Sequence, residues 1–234
     1  LEQHQPDALC LQETKVQDPD FPLQPLADAG YHAAFKGQKS YNGVAILSRI
    51  EPDKVTTGFE DGSEDTRLIS AEINGLTIIN TYIPQGRDVK SEHFAFKLEW
   101  YDRLYRYFDT RFVPGDKLVW VGDLNVAPTP LDVHDPEKLA GSVCFHPEEH
   151  KALQRLVDWG LEDVFRRHHP DELAFTFWDY RIPNGVKRNL GWRIDHILAT
   201  KNLAETSSDC WIDRVPRLQT RPSDHTPSVA GFSI

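Results

Sequence analysis

Methionine is missing altogether from the 234 residues, cysteine occurs only three times, and no apolar run approaches the length of a membrane-spanning helix. Each scarcity excludes something. Without a long apolar run the chain does not read as crossing a bilayer, and with no charged start leading into an apolar segment no secretory signal is expected, so a soluble protein is the expectation. Cys10, Cys144 and Cys210 are odd in number and far apart, and Cys10 lies in an apolar run of the kind that buries free thiols. A reducing compartment, the cytoplasm, is the expectation. A positive balance is lacking too: the net charge of −10 argues against nonspecific wrapping of nucleic acid and leaves a local basic patch to steer a phosphate backbone. With Leu1 in first place and no methionine, the chain is expected to lack its true beginning, and residues 1–6 read as a helix end running into a turn. Repeats and low-complexity segments are absent. What remains, 39% apolar residues, is enough for one sizeable core, and one domain over residues 1–234 is expected.

The most informative stretch is Leu118-Val119-Trp120-Val121-Gly122-Asp123-Leu124-Asn125. Its uncharged, β-branched and aromatic start predicts a strand buried on both faces. In extended backbone, residues two apart point the same way, so Asp123 and Asn125 are expected to converge at the strand's end with Leu124 turned into the core. Ala8 to Glu13 predicts a second such strand, with Glu13 at its C-terminal end. Strands are also predicted at Val44–Ser48, Leu68–Ile73 and Leu76–Tyr82, the last two joined by Asn74-Gly75, the strongest short hairpin signal in the chain. Phe94, Leu98, Tyr101, Tyr105, Phe108 and Phe112 recur at steps of four and three, which predicts an amphipathic helix capped by Ser91. A second helix is expected from Pro147 to Gly160 on a stripe of Leu153, Leu156 and Val157, followed by strands over Trp192–Leu198 and Ser228–Phe232. Short strands with hairpin links and two good helices point to two packed sheets covered by helices.

Polar residues gather at strand ends in separated places: Glu13, Tyr82, Asp123 with Asn125, Asp195, and Asp224 with His225. Two carboxylates about 4 Å apart repel by roughly 4 kcal/mol at an effective dielectric near 20, so such a cluster calls for a cation or a shared proton. With no Cys or His spaced as a soft-metal site, magnesium or manganese is expected. Neighbouring side chains of an extended segment face opposite ways, so Asp224 does not orient His225; Asp195 is the expected partner. A lone histidine among ten is more often a surface loop residue, and an Asp–Asn pair at a strand end often only turns the chain.

Six motifs in order carry a family resemblance: Leu11-Gln12-Glu13-Thr14-Lys15, Gly37-Gln38-Lys39 before Tyr41-Asn42-Gly43-Val44-Ala45, Tyr82-Ile83-Pro84-Gln85-Gly86, Gly122 to Pro128, Arg193-Ile194-Asp195-His196, and Pro222-Ser223-Asp224-His225-Thr226-Pro227. The chain resembles, over nearly its whole length, the exonuclease III branch of abasic-site endonucleases in the endonuclease/exonuclease/phosphatase superfamily. The resemblance implies a DNase I-like four-layered α/β sandwich of two mostly antiparallel sheets flanked by helices. It also implies a magnesium-dependent DNA phosphodiesterase of base-excision repair, acting as a monomer on double-stranded DNA. Such an enzyme incises 5′ of abasic sites and removes 3′ nucleotides or 3′ blocking groups. By the same resemblance Glu13 is the principal metal ligand and Asp224 a second metal-side carboxylate. Asp123 activates or aligns the attacking water, Asn125 orients it, His225 held by Asp195 contacts the scissile phosphate, and Tyr82 lies near the phosphate or leaving oxygen. The family opens on a strand bearing an active-site asparagine, and no such residue precedes Leu1, so the domain is expected to lack its first strand.

Two other readings share these motifs: a phosphoinositide-type phosphatase of the same fold, and a DNA-binding homologue impaired in catalysis. Substrate-contacting residues must separate them. Phe177, Trp192 and Ile194 are expected to wall a pocket for a baseless sugar, with Gln85, Arg87, Arg181, Lys187 and Arg188 gripping DNA around it, while Trp178 is expected in the core.

Overall fold

Asn74 and Gly75 both take left-handed backbone, φ 51° and 75°, as a two-residue hairpin turn with strand-matched twist requires, and Ile73 pairs with Leu76 across it. The computed structural model describes Leu1 and residues 4–234, so the helix end expected over residues 1–6 falls partly outside the described residues. The chain divides into two units, Leu1–Tyr82 with Lys117–Asp123, and Ile83–Asp116 with Leu124–Ile234.

The first unit holds β1 (Ala8–Gln12), α1 (Leu23–Asp28), β2 (His32–Lys36), β3 (Val44–Ser48), β4 (Lys54–Thr57), β5 (Leu68–Ile73), β6 (Leu76–Tyr82) and β7 (Leu118–Asp123). One sheet runs β1-β3-β2, and β4, β5, β6 and β7 lie side by side in that order in a second. All pairings are antiparallel except β6 with β7, which sets Thr81 beside Gly122 and Tyr82 beside Asp123. Val44, Ile46, Leu68, Ile69 and Ile79 are fully buried. Asn80 joins the two sheets: its Nδ2 donates to Leu11 O and Ala45 O, each at 2.9 Å, and its Oδ1 accepts from Gln12 Nε2 at 2.6 Å. A buried amide with all these partners is satisfied and fixes the register of β1 against β6. Gly122 is obligatory, because φ is +134° and a Cβ there would stand 1.9 Å from Thr81 O.

The second unit holds α2 (Glu92–Arg111), α3 (Pro136–Leu139), α4 (Pro147–Gly160), β8 (Leu161–Asp163), α5 (Val164–His168), β9 (Asp195–Thr200), α6 (Lys201–Ala204), β10 (Ser207–Ile212) and β11 (Ser228–Phe232). β8 pairs antiparallel with β9, and β10 with β11. Ser91 caps α2 by accepting from Phe94 N at 3.3 Å. The buried stripe of α2 is Phe94, Lys97, Trp100, Tyr101, Leu104, Tyr107 and Phe108, not the expected run through Leu98 and Tyr105. The apolar count alone missed this rotation because a lysine lies on the buried face. α2 packs on α4 through Phe108 and Trp159, whose ring centroids are 5.4 Å apart. The strand expected at Trp192 begins at Asp195; before it, Trp192 makes only isolated bridges to Phe177 and Val133. Among the described residues no helix is long and apolar enough to cross a membrane.

Candidate active site

In the first unit the end of β1 and the end of β6 deliver Glu13 and Tyr82 to each other, with Tyr82 Oη donating to Glu13 Oε1. Glu13 itself has left the strand at φ 52°, and its other oxygen lies 2.6 Å from Lys15 Nζ. The Arg67 guanidinium covers the Tyr82 ring at 4.7 Å from the centroid and donates to Tyr82 O at 3.1 Å. Burial pushes the Tyr82 phenol well above its usual range; the Glu13 hydrogen bond and the negative charges of Glu13 and Asp123 push the same way, and Arg67 opposes them in part. The phenol is therefore a donor. Glu13, hydrogen-bonded to Tyr82, and Asp123, beside Tyr82 in the sheet register, offer oxygen donors only, the kind a hard divalent cation takes. Asp123 is buried at the end of β7, where the parallel register sets it beside Tyr82.

In the second unit, Asn125 takes φ 51°, so the alternation expected to carry from Asp123 to Asn125 stops where the strand ends. Leu124 is buried as expected, and its N–H donates to Ile194 O at 2.9 Å. Asn125 Nδ2 donates to Ile83 O at 2.9 Å. Asp195 opens β9, and its carboxylate accepts from His225 Nδ1, 2.9 Å from Oδ2 and 3.1 Å from Oδ1. A carboxylate only accepts, so Nδ1 carries the hydrogen and Nε2 is the outward nitrogen. Thr176 Oγ1 accepts from the Asp195 amide at 3.1 Å, and the Phe177 ring lies against His225, tilted by 51° with 4.8 Å between centroids. Asp224 is half-buried, and its carbonyl accepts from Trp178 N at 2.9 Å.

Phe177 and Trp192 meet with ring centroids 5.9 Å apart and pack on a buried cluster that contains Ile194. Ile194 is only 3% exposed, so it lies among the packing beneath the two rings and does not wall an open pocket; ahead of β9 its backbone is held on both sides, its N–H donating to Thr176 Oγ1 at 3.1 Å and its O accepting from Leu124 N. Trp178 is fully buried, as expected. Gln85 turns back on its own loop, its Oε1 accepting from Arg87 N at 2.7 Å with Arg87 at φ 57°. Arg181 forms an exposed bidentate pair with Asp179, at 2.6 Å in the shortest bond, and Lys187 and Arg188 are exposed.

Residues that went unread in the sequence support this site from behind. Arg193 Nε and Arg166 share the buried Asp132 carboxylate, the former at 2.6 Å, while Arg193 Nη2 reaches Asp163 at 2.7 Å. Burial raises Asp132 and Asp163, yet Arg193 outweighs it at both, aided by Arg166 at Asp132 and by His196 at Asp163, and both carboxyls are held below the usual range. The signal available was the Arg193-Ile194-Asp195-His196 pattern, in which a charged residue precedes a buried strand.

The description Endonuclease/Exonuclease/phosphatase family matches residues 1–225. Exodeoxyribonuclease III of Haemophilus influenzae is 38% identical, over 99% of this chain and 92% of its own length. Among solved structures, an AP endonuclease from Archaeoglobus fulgidus is 45% identical, with a TM-score of 0.96 over 100% of this chain and 91% of that one. A 3′ phosphatase from Neisseria, bound to a product DNA hairpin, is 37% identical with a TM-score of 0.95, over 100% of this chain and 91% of its own.

Proposed function

Because the chain belongs to the endonuclease/exonuclease/phosphatase family, in its exodeoxyribonuclease III and AP endonuclease branch, we propose that it is a DNA-repair nuclease that hydrolyses phosphodiesters 5′ of abasic sites and clears 3′ nucleotides or 3′ blocking groups. The observation that carries the reading is the end-to-end likeness to an AP endonuclease at 45% identity. Relatives that act on DNA favour this substrate over a phosphoinositide, and the Asp195–His225 pair supports catalysis over binding alone. The match over residues 1–225 supports one domain. The cytoplasm and a monomeric state are part of the same proposal, supported for the former by three free cysteines among the described residues.

In this reaction a water oxygen adds to phosphorus while the 3′ oxygen of the preceding sugar leaves and takes up a proton. Asp123 aligns the water and accepts its proton. Asn125 orients the water, and the outward Nε2 of His225 donates to a phosphate oxygen, with Asp195 steadying the imidazolium. Tyr82, kept protonated, lies near the phosphate or leaving oxygen. Glu13, with Asp224 as a second carboxylate, would hold magnesium or manganese, which would supply positive charge to the phosphate. Phe177 and Trp192 accept the baseless sugar by shape, and Gln85, Arg87, Arg181, Lys187 and Arg188 grip the backbone around it. The test is incision of an abasic-site duplex and release of 3′ phosphate, with magnesium, with manganese and in excess chelator. Both activities should require the cation; full activity in chelator overturns the metal assignment, and hydrolysis of a phosphoinositide in preference to DNA overturns the substrate.

A further inference from the structure

Four consecutive carbonyls follow β7, and each accepts a hydrogen bond from a side chain reaching it from elsewhere in the second unit. Tyr101 Oη donates to Leu124 O at 2.8 Å and Lys97 Nζ to Asn125 O at 2.7 Å. His196 Nε2 donates to Val126 O at 2.7 Å and His150 Nε2 to Ala127 O at 2.9 Å. Loops of this kind are ordinarily the mobile part of a fold; this one is held at every residue.

The anchor at Asn125 is the costly one. Lys97 is fully buried in the stripe of α2, where an apolar side chain would pack without desolvating a charge. Its ammonium is paired with Glu149, also fully buried, and it reaches Gln85 O at 3.3 Å as well as Asn125 O. Glu149 is held in turn by the amides of Cys144 and His146, each at 3.1 Å. Everything the ammonium touches besides its counter-ion is the backbone of two loop residues, one of which is Asn125 in its left-handed turn.

We infer that Lys97, backed by Glu149, is a positioning residue for phosphodiester hydrolysis, holding the Asn125 backbone so that its amide stands where the water and phosphate need it. The inference rests on the role proposed for Asn125. It is tested by kcat and KM on an abasic duplex for the parent, Lys97→Met/Glu149→Gln, Asn125→Ala and the triple variant, with folding checked by thermal melting. Removing both charges together avoids leaving Glu149 buried and unpaired. Turnover of the double variant should fall about 10²-fold, since misplacing a reacting group by about 1 Å has effects of that size. KM should stay within about threefold, and the same pair of substitutions should add almost nothing in the Asn125→Ala background. A folded double variant with parental kcat, or an equal loss when Asn125 is already gone, overturns the inference. Should the double variant not fold, Lys97→Arg, which keeps the cation but displaces its hydrogens, takes its place with the same two criteria. A parent that does not cleave DNA, or an Asn125→Ala variant as active as the parent, overturns instead the reading beneath it.

Discussion

At the scale of single residues, the Asp195–His225 and Glu13–Tyr82 pairs make predictions that separate orientation from chemistry. His225→Asn should lower kcat by roughly 10²- to 10⁴-fold, the range of a lost proton donor. Asp195→Asn keeps the hydrogen-bonding shape but removes the negative charge facing Nδ1, so a milder loss of about 10- to 100-fold is expected, with little further loss once His225 is gone. Additive losses in the double variant would mean that Asp195 acts elsewhere. Asp123→Asn should cost turnover far more than DNA affinity, and a parallel fall of both would make it a binding residue. Glu13→Gln should raise the cation concentration needed for half-maximal activity more than any other single change. For Tyr82, burial and the neighbouring carboxylates keep the phenol protonated, so ultraviolet titration of the parent against Tyr82→Phe should show no tyrosinate from this residue at pH about 10, where a free tyrosine is half ionised.

At the scale of elements, β7 depends on Gly122 and β9 on the Arg193 network. Gly122→Ala should cost about 1–3 kcal/mol from the left-handed backbone alone, with the overlap on Thr81 O added to it. Gly115→Ala, which meets nothing within 4 Å, should leave the melting temperature unchanged and serves as the control. Arg193→Met leaves the buried Asp132 with Arg166 alone and takes the guanidinium away from Asp163, and breaking a buried pair in this way costs about 3–5 kcal/mol. The pH dependence has a definite sign. Asp132 and Asp163 are held below their unfolded values, so their contribution is present above the ordinary carboxylate range and is lost as pH falls through and below it. Urea unfolding of parent and variant should therefore differ most near neutral pH and converge in acid; a gap that widens in acid contradicts the network. The hairpin at Asn74-Gly75, the cap at Ser91 and the helix over Pro147–Gly160 were all legible from local rules, because each depends on residues a few positions apart. β2, β4 and β8 were not: their five, four and three residues carry too little pattern, and pairing with distant partners makes them strands.

For the whole molecule, the net charge of −10 means that DNA must be met by a local surface, and the exposed Arg87, Arg181, Lys187 and Arg188 are the candidates. Discrimination for a baseless site is the part proposed for Phe177 and Trp192, whose rings meet beside His225. Trp192→Ala and Phe177→Ala should each erode the preference for abasic over intact sites by about 1 to 3 kcal/mol, read as the ratio of abasic incision to 3′-end digestion. An unchanged ratio in folded variants would return both rings to a purely structural part. From its sequence alone the chain could be assigned a fold class, a family and the kinds of residue that do chemistry, since strand periodicity, turn chemistry and ordered motifs are written locally. Only the tertiary structure decided that Asn125 leaves the strand in a left-handed turn, that Ile194 is packed away, and that Lys97 and Glu149 are buried as a pair behind the loop. Those outcomes depend on which distant carbonyls and carboxylates arrive beside each side chain, and a buried charge is tolerated only where such partners meet it.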